Sequence, residues 1–359
     1  MKHALLVHCL ALACAVLPLR FVCAEAPAVK PEEVDAGVRA EMDRQHIPGL
    51  SLAVVKDGKV IRSAGYGFAD LEQQTAAKPE TVFRIASLSK QFIATGIMLL
   101  IRDGKLALDD KVSTRLEGVP ESWKDITLRH LLSHTSGLVR ECPGFDSWKP
   151  VSDAVAVKSA YAVPLEFPTG SKYQYSNCGY FALGEIITRT SGQPWPEFMA
   201  SRVFTPAGLS ATRTTNLTVV IPGRAHGYAW AKDGWKNVPE YPALRPSGAF
   251  LSTVLDLAKW DADLLAGKVL TPKEQEEMRT PVKLADGKKA PYGLGWATTP
   301  FKGHPQASHS GSNPGFRTYF MRLLDEHLSV IVLTNSDNAE PKIIAERVAL
   351  QYLPAAAPK

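Results

Sequence analysis

The apolar positions near the N-terminus predict a helix followed by a pair of strands. From Pro31 to about His46, apolar side chains recur every four residues, which is typical of an amphipathic helix; they are Val34, Val38 and Met42. Leu50 to Val55 is an apolar run that favours a strand. The Asp57-Gly58 pair predicts a tight hairpin turn, so Val60 to Tyr66 is expected to return as the partner strand.

The C-terminal part of the chain repeats these patterns in the opposite order. Phe316 to Leu323 alternates as a strand does, Leu328 to Thr334 is a β-branched run, and Ala339 to Tyr352 has helical spacing. Strands therefore lie towards both ends of the chain, with mostly helical sequence between them. We expect one antiparallel sheet assembled from the two terminal segments.

The middle of the chain, roughly residues 87–290, is predicted to be helical. Apolar periodicity indicates four helices there: Gln91 to Asp103, Ile126 to Ser133, Tyr180 to Ser191 and Thr253 to Leu265. Proline and glycine interrupt the pattern at Phe167 to Gly170 and at Arg245 to Gly248, which favours loops. The expected fold class is α+β, with an antiparallel sheet flanked by helices plus an all-helical region.

The first residues are typical of a signal peptide. Lys2 supplies a positive end, Ala4 to Leu19 is almost wholly apolar, and Val22-Cys23-Ala24 offers small residues for cleavage. A membrane anchor is less favoured, because a spanning helix needs about 20 apolar residues and Pro18 interrupts this stretch. A lipid anchor on cysteine is also less favoured, since the residues before Cys23 are large. The sequence thus predicts a signal peptide over residues 1–24, one domain over 25–359, and an exported, periplasmic or secreted protein without an integral membrane span.

Composition and charge narrow the function classes. The 359 residues are 45% hydrophobic and 21% charged, and the formal net charge of +5 is spread along the chain without basic runs, so nucleic acid is not an expected partner. Outside the predicted signal peptide, which holds Cys9, Cys14 and Cys23, only Cys142 and Cys178 remain. These two cysteines can form at most one disulfide, and the sequence leaves open whether they do. His130 and His134 lack the acidic neighbour of a zinc motif, so no metal site is predicted.

A serine and a lysine precede the first central helix in the order Ser87-x-x-Lys90. If Ser87 begins that helix, Lys90 lies one turn later on the same face. A serine hydroxyl is a weak nucleophile until a base takes its proton, and a lysine that burial has deprotonated can serve as that base. The helix N-terminus would also favour developing negative charge. Alone the motif is weak, since an N-capping serine is the default interpretation.

Two further segments carry candidate chemistry. In Tyr175-Ser176-Asn177, a neighbouring lysine ammonium favours the tyrosine phenolate, which can then act as a base, and the asparagine can hold both lysine and substrate; alternatively, these residues only close a loop and cap a helix. In His309-Ser310-Gly311-Ser312, the glycine allows a ligand backbone to approach closely. The N–H of Ser312 is then expected to join that of Ser87 in an oxyanion hole.

Taken together, the order and spacing of these three motifs resemble those of the penicillin-recognising serine hydrolases, which include serine beta-lactamases, DD-peptidases and related esterases. The resemblance runs from about Pro31 to the C-terminus, and four more segments support it: residues 126–138, 167–177, 246–253 and 292–296. It implies Ser87 as the nucleophile, Lys90 and Tyr175 as shared base and acid, and Asn177 as a substrate-positioning residue. It also implies a cleft between sheet and helices, no cofactor, and a small-molecule, peptide or ester substrate.

The third motif departs from that family's pattern. Class C beta-lactamases have Lys-Thr-Gly there, whereas this chain has His-Ser-Gly at 309–311, and a histidine is only partly charged at neutral pH. A DD-peptidase-like or esterase-like activity is therefore expected ahead of true beta-lactamase activity. A catalytically silent protein that binds peptidoglycan or a partner through the same cleft is the alternative from another class. A Ser-His-Asp hydrolase is set aside, because no Gly-x-Ser-x-Gly motif occurs.

Overall fold

The structure is a computed structural model that describes residues 29–243 and 245–354. The predicted signal peptide over residues 1–24 lies outside the described residues. Eleven strands are present in the described part: β1 Gly49–Lys56, β2 Lys59–Asp70, β3 Thr75–Ala76, β4 Phe83–Arg84, β5 Arg213–Thr214, β6 Tyr228–Ala231, β7 Gly234–Asn237, β8 Phe250–Ser252, β9 Gln306–Asn313, β10 Phe316–Leu323 and β11 Leu328–Thr334.

The α-helices of the described residues are α1 Pro31–Gln45, α2 Ser89–Arg102, α3 Leu128–Leu132, α4 Asp153–Ser159, α5 Asn177–Ser191, α6 Trp195–Met199, α7 Val254–Ala266, α8 Pro272–Arg279 and α9 Pro341–Tyr352. A π-helical turn, Ala200–Phe204, continues α6. None of the helices in the described ranges is long and apolar enough to cross a membrane.

The main sheet has six strands in the order β3-β2-β1-β11-β10-β9, and every neighbouring pair is antiparallel. The pairing of β1 with β11 joins the N-terminal hairpin to the C-terminal strands, with Leu52 opposite Val332. The turn of that first hairpin has positive φ at both Asp57 and Gly58, as an Asp-Gly hairpin turn requires. The prediction of one antiparallel sheet built from both terminal segments is therefore confirmed.

Both faces of this sheet are covered, which explains why its central strands are continuous apolar runs. Successive side chains of a strand point to opposite faces. Leu52 and Val332 pack with the apolar stripe of α1 and with α9 on one face. Ala53 and Ile331 point the other way, into a larger core that also holds buried side chains of α2, α5 and α7.

Capping residues explain where the helices differ from their predicted bounds. α5 begins at Asn177 rather than Tyr180, because the Ser176 side chain accepts a hydrogen bond from the N–H of Gly179. α3 is short, starting after Thr127, whose hydroxyl and backbone exchange hydrogen bonds with His130 in a capping box. His130 is thus a capping residue of α3. In the described residues no cluster of ligand side chains could hold a metal ion.

The middle of the chain contains the predicted helices, but it also contains short strands that were not predicted. It contains a three-stranded sheet in the order β4-β8-β5 and a two-stranded sheet of β6 and β7. These strands are only two to four residues long, too short to show a period in the sequence. The pairing of Phe83 with Ser252 places the turn before α2 beside the loop that precedes β8.

Candidate active site

Ser87 lies in a 3-10 turn, Ala86–Leu88, that runs directly into α2. The preceding Ala86 has a positive φ of 50°, a backbone conformation that residues with a side chain rarely adopt. Hydrogen bonds on both sides fix the turn: the N–H of Ile85 donates to the Phe250 carbonyl at 3.0 Å, and the Ile85 carbonyl accepts from the Thr318 hydroxyl at 3.0 Å. Ser87 is therefore held at a strained corner between the small sheet and the main sheet.

Gly311 permits this corner to lie against β9. A Cβ atom at Gly311 would come within 2.4 Å of the Ile85 carbonyl oxygen and 2.1 Å of the Thr318 hydroxyl. The glycine was predicted to allow the approach of a ligand backbone. In the structure, the backbone that approaches Gly311 is instead that of the turn before Ser87, so Gly311 affects the site through the position of Ser87.

Lys90 is completely buried, and its amine contacts three oxygen atoms. The Nζ atom lies 2.8 Å from Asn177 Oδ1, 2.9 Å from the Ser247 carbonyl oxygen and 3.3 Å from Ser87 Oγ. Asn177 Oδ1 and the Ser247 carbonyl oxygen can only accept hydrogen bonds, so each binds one N–H group of the amine. The third position faces Ser87. In a neutral amine this position is the lone pair, which can accept the hydroxyl proton.

Electrostatics favour that neutral amine. Burial holds the pKa of Lys90 well below its usual value, and the positive charge of Arg245 lowers it further, while Glu141 opposes the shift. The rings of Tyr175 and Tyr180 lie 4.6 and 5.2 Å from Nζ. Lys90 thus combines the position and the protonation state of a base for Ser87.

Within the second motif, Ser176 and Asn177 make different contacts. Ser176 caps α5 and donates to the Val139 carbonyl at 2.8 Å, which places Asn177 in the first turn of the helix. Asn177 donates from Nδ2 to Glu141 while its Oδ1 accepts from Lys90. The capping role considered for this segment belongs to Ser176, and the amide of Asn177 links the lysine to the wall of the cleft.

Tyr175 is a phenol rather than a phenolate. Burial raises its pKa well above 10, and interactions with Ser87 and with the Arg140 charge oppose this effect only in part. His134 lies against its ring, with centroids 4.2 Å apart, and accepts at Nδ1 from the Ser176 N–H at 3.1 Å. Burial holds the pKa of His134 well below 6.5, so this neutral ring supports the tyrosine without adding charge.

His309 does not line the cleft, contrary to its predicted role as a substrate contact. It is buried, with Nε2 2.7 Å from the Tyr292 hydroxyl and Nδ1 2.6 Å from the Ser310 carbonyl oxygen. Both ring nitrogens are thus occupied by a hydroxyl and a carbonyl. Burial is the largest cause of the lowered pKa of His309, which is about 3. The third motif therefore brings no positive charge to the cleft at neutral pH.

The cleft beside Ser87 has a volume of about 310 Å³. Four other residues from the predicted site line it with Ser87: Tyr175, Asn177, Ser310 and Ser312. The other lining residues were not singled out from the sequence: Arg140, Glu141, Arg245, Ser247, Gly248 and Asn313. Arg140 and Glu141 follow one residue after the supporting segment 126–138, and Ser247 and Gly248 lie inside the segment 246–253. In the sequence, the proximity of these residues to the supporting segments was the feature that could have identified them as cleft residues.

With this geometry established, comparison with known proteins identifies the family. The Beta-lactamase family model matches residues 34–353. The chain belongs to the beta-lactamase family. The predicted resemblance to penicillin-recognising serine hydrolases is thereby confirmed, as is the predicted fold class.

Three relatives illustrate the range of this family. Penicillin-binding protein 4* of Bacillus subtilis (strain 168) is 31% identical over 317 residues, which cover 82% of this chain and 69% of that protein. The octameric penicillin-binding protein homologue from Pyrococcus abyssi has a TM-score of 0.79 at 29% identity, over 89% of this chain and 77% of its own. D-amino acid amidase from Ochrobactrum anthropi SV3 has a TM-score of 0.76 at 25% identity, over 89% and 99%.

A disulfide joins the cleft wall to the start of α5. Cys142 and Cys178 are bonded, with Cα atoms 4.9 Å apart, which resolves the pairing that the sequence left open. The backbone is tied at the same place, because the Arg140 carbonyl accepts the N–H groups of Asn177 at 2.7 Å and Cys178 at 3.2 Å. The segment that carries Arg140 and Glu141 is thus fixed to the helix that carries Asn177.

Replacing both cysteines by alanine is expected to lower the free energy of unfolding. The bond closes a segment with a sequence separation of 36 residues. Loop-closure entropy for such a separation corresponds to about 4 kcal/mol. Urea unfolding of wild type and the double variant, followed by circular dichroism, measures the difference, with reduced wild type as the matched control. Equal unfolding free energies for the oxidised wild type and the double variant would contradict a stabilising disulfide.

Proposed function

We propose that this member of the family is an exported serine hydrolase that cleaves amide or ester bonds through an acyl-enzyme on Ser87. The observation that carries the proposal is the contact of the Ser87 hydroxyl with the buried amine of Lys90, which also contacts the carbonyl oxygens of Asn177 and Ser247 and whose pKa is lowered by burial. Burial of an amine costs free energy, and a titratable group whose pKa is strongly shifted beside a hydroxyl in a cleft is typical of a functional site.

In the proposed reaction, Lys90 accepts the hydroxyl proton as Ser87 Oγ attacks the substrate carbonyl carbon. The resulting oxyanion is held by the N–H groups of Ser87 and Ser312, on opposite sides of the cleft. Tyr175, as a phenol, donates a proton to the leaving amine or alcohol when the carbon–leaving-group bond breaks, and the Lys90 ammonium returns its proton to the tyrosine. Water then attacks the ester on Ser87 with the same groups in reverse, which releases the acid and restores the serine.

The proposed substrate class is small amides and esters, with a DD-peptidase-like or esterase-like activity. Strand β9 forms the edge of the main sheet and carries Ser310 and Ser312 on the cleft, where an extended substrate can align with its backbone. The names of a penicillin-binding protein and an amidase among the relatives support this class. The neutral His309 supports ranking true beta-lactamase activity lower, because the sheet side of the cleft lacks the lysine cation of the Lys-Thr-Gly motif.

A substrate panel tests this ranking. Initial rates with a 4-nitrophenyl ester, a D-amino acid amide, a D-alanyl-D-alanine peptide and a penicillin are measured at one enzyme concentration. Turnover of the ester or of either amide at rates above that of the penicillin is expected. A penicillin rate above all the others would place the chain among true beta-lactamases, and binding of these compounds without turnover would favour the silent binding protein.

Tyr175→Phe is expected to lower kcat for the amide by about 100-fold, because it removes the proposed proton donor while leaving the ring against His134. A 4-nitrophenolate leaving group needs no proton, so the loss with the activated ester should be smaller than with the amide. Parallel kcat measurements on both substrates provide the comparison. Equal losses on the two substrates would show that Tyr175 does not act as the leaving-group acid.

A further inference from the structure

The cleft contains a positive charge that the proposed mechanism does not use. Three charged residues line it: Arg140, Glu141 and Arg245. Arg245 donates to Glu141 Oε2 at 2.8 Å, so these two charges neutralise each other. In the part of the chain that the structure describes, no carboxylate lies within salt-bridge distance of the Arg140 guanidinium. One net positive charge therefore faces the space beside Ser87.

Arg140 is also held in place by its surroundings. Its backbone carbonyl is bonded to the first turn of α5, and the Cys142–Cys178 disulfide fixes the next residues to the same helix. Its guanidinium carbon lies 5.4 Å from the centroid of the Tyr175 ring, so the cation extends over the catalytic tyrosine. The fixed backbone keeps this exposed arginine at the wall of the cleft, where its side chain can reach a bound anion.

The rest of the site lacks such a cation. Lys90 is buried against Ser87, Asn177 and Ser247, and both nitrogens of His309 are engaged by Tyr292 and Ser310. Beta-lactamases with Lys-Thr-Gly in the third motif place the cation on the sheet side of the cleft. In this chain the sheet side carries hydroxyl groups, and the cation lies on the opposite wall.

We propose that Arg140 is a specificity residue that binds a carboxylate of the substrate, so that the preferred amides and esters are anionic. This inference rests on the proposed hydrolase function and narrows its substrate class. A guanidinium presents two parallel N–H groups to a carboxylate, which matches the geometry of that anion. The carboxylate belongs either to the acyl portion of the substrate or to its leaving group, and matched substrate pairs distinguish these two positions.

The experiment compares charged and neutral substrates of equal shape. The acyl-side pair is the 4-nitrophenyl esters of N-succinylglycine and N-succinamoylglycine. The leaving-group pair is the thioesters of N-acetylglycine with 3-mercaptobenzoate and 3-mercaptobenzamide. In one of the two pairs, the wild type is expected to prefer the charged member by about fivefold in kcat/KM at physiological salt. Arg140→Gln should abolish that ratio, and Arg140→Lys should keep part of it.

Lys149→Gln is the matched control, since Lys149 is an exposed cation of the same loop that does not line the cleft. It should leave the charged-to-neutral ratio unchanged, because salt screens exposed charges beyond about 8 Å. No preference in either wild-type pair, or an equal preference in Arg140→Gln, would overturn the proposal.

A binding measurement keeps this inference separate from the hydrolase proposal. Calorimetry with the Ser87→Ala protein compares N-succinylglycinamide with N-succinamoylglycinamide, and N-acetylglycyl-3-aminobenzoate with its benzamide. Tighter binding of the charged member in one pair, lost in Ser87→Ala/Arg140→Gln, supports the role of Arg140 even if the wild type hydrolyses none of the esters. Equal binding within both pairs would overturn it even if Ser87 is acylated.

Discussion

Ser87→Ala is expected to lower kcat/KM for every hydrolysed substrate by at least about 1,000-fold, because no other group can form the acyl-enzyme. The cleft otherwise keeps its shape: the Ser87 side chain is only partly buried, and the turn is fixed by backbone bonds of Ile85. The variant should therefore fold and bind substrate. Steady-state kinetics on the best substrate of the panel, together with circular dichroism, provide the measurement.

Ser89→Ala is the matched control for this substitution. Ser89 lies in the same Ser-Leu-Ser-Lys segment, but it is fully buried and its hydroxyl accepts the Phe250 N–H at 3.1 Å, away from Lys90. Its removal leaves one buried N–H without a partner, which lowers stability by about 1–3 kcal/mol and leaves the nucleophile in place. If Ser89→Ala lost as much activity as Ser87→Ala while remaining folded, the assignment of Ser87 would fail.

Lys90→Met should lower kcat/KM by about 1,000-fold or more, since it removes the base that takes the Ser87 proton. Methionine fills a similar volume, but it leaves the carbonyl oxygens of Asn177 and Ser247 without their donor. Removal of a buried amine offsets part of that loss, because keeping an amine neutral in the folded state costs stability at any pH below its unfolded pKa. Urea unfolding checks that the protein remains folded.

The pH profile separates a base from a structural lysine. The active form of Lys90 is the neutral amine, so kcat/KM should rise with pH as the amine loses its proton. Because burial lowers the pKa, this rise lies below 10.5. Lys90→Arg should not restore activity, since a guanidinium stays protonated. A Lys90→Met enzyme that kept more than a tenth of wild-type kcat/KM, with an unchanged pH profile, would contradict this role.

The terminal sheet and the three motifs could be predicted because their signals are local. The Asp57-Gly58 turn, the apolar runs of β1 and β11 and the four-residue spacing of α1 each occupy one segment. The Ser87-x-x-Lys90 spacing likewise places both side chains on one helical face. Periodicity and motif spacing reveal features of this type, which lie within a single segment of the sequence.

The remaining parts of the site depend on contacts between distant segments. The Ser247 carbonyl reaches Lys90 across 157 positions, and no side-chain pattern marks a backbone oxygen as a partner. His309 was expected to contact substrate, but Tyr292 and the Ser310 carbonyl occupy its ring nitrogens beneath the strand. The charge of Arg140 could be assigned only after Arg245 was seen to pair with Glu141.

Intact-protein mass spectrometry after incubation with a fluorophosphonate tests the acyl-enzyme mechanism most directly, because the reagent forms a stable bond with an activated serine. The wild type is expected to gain the mass of one adduct, which peptide mapping should locate on Ser87, and Ser87→Ala should gain none. A folded wild type that forms no adduct, or an adduct located on another residue, would contradict the account of Ser87 and Lys90 as an activated nucleophile and its base.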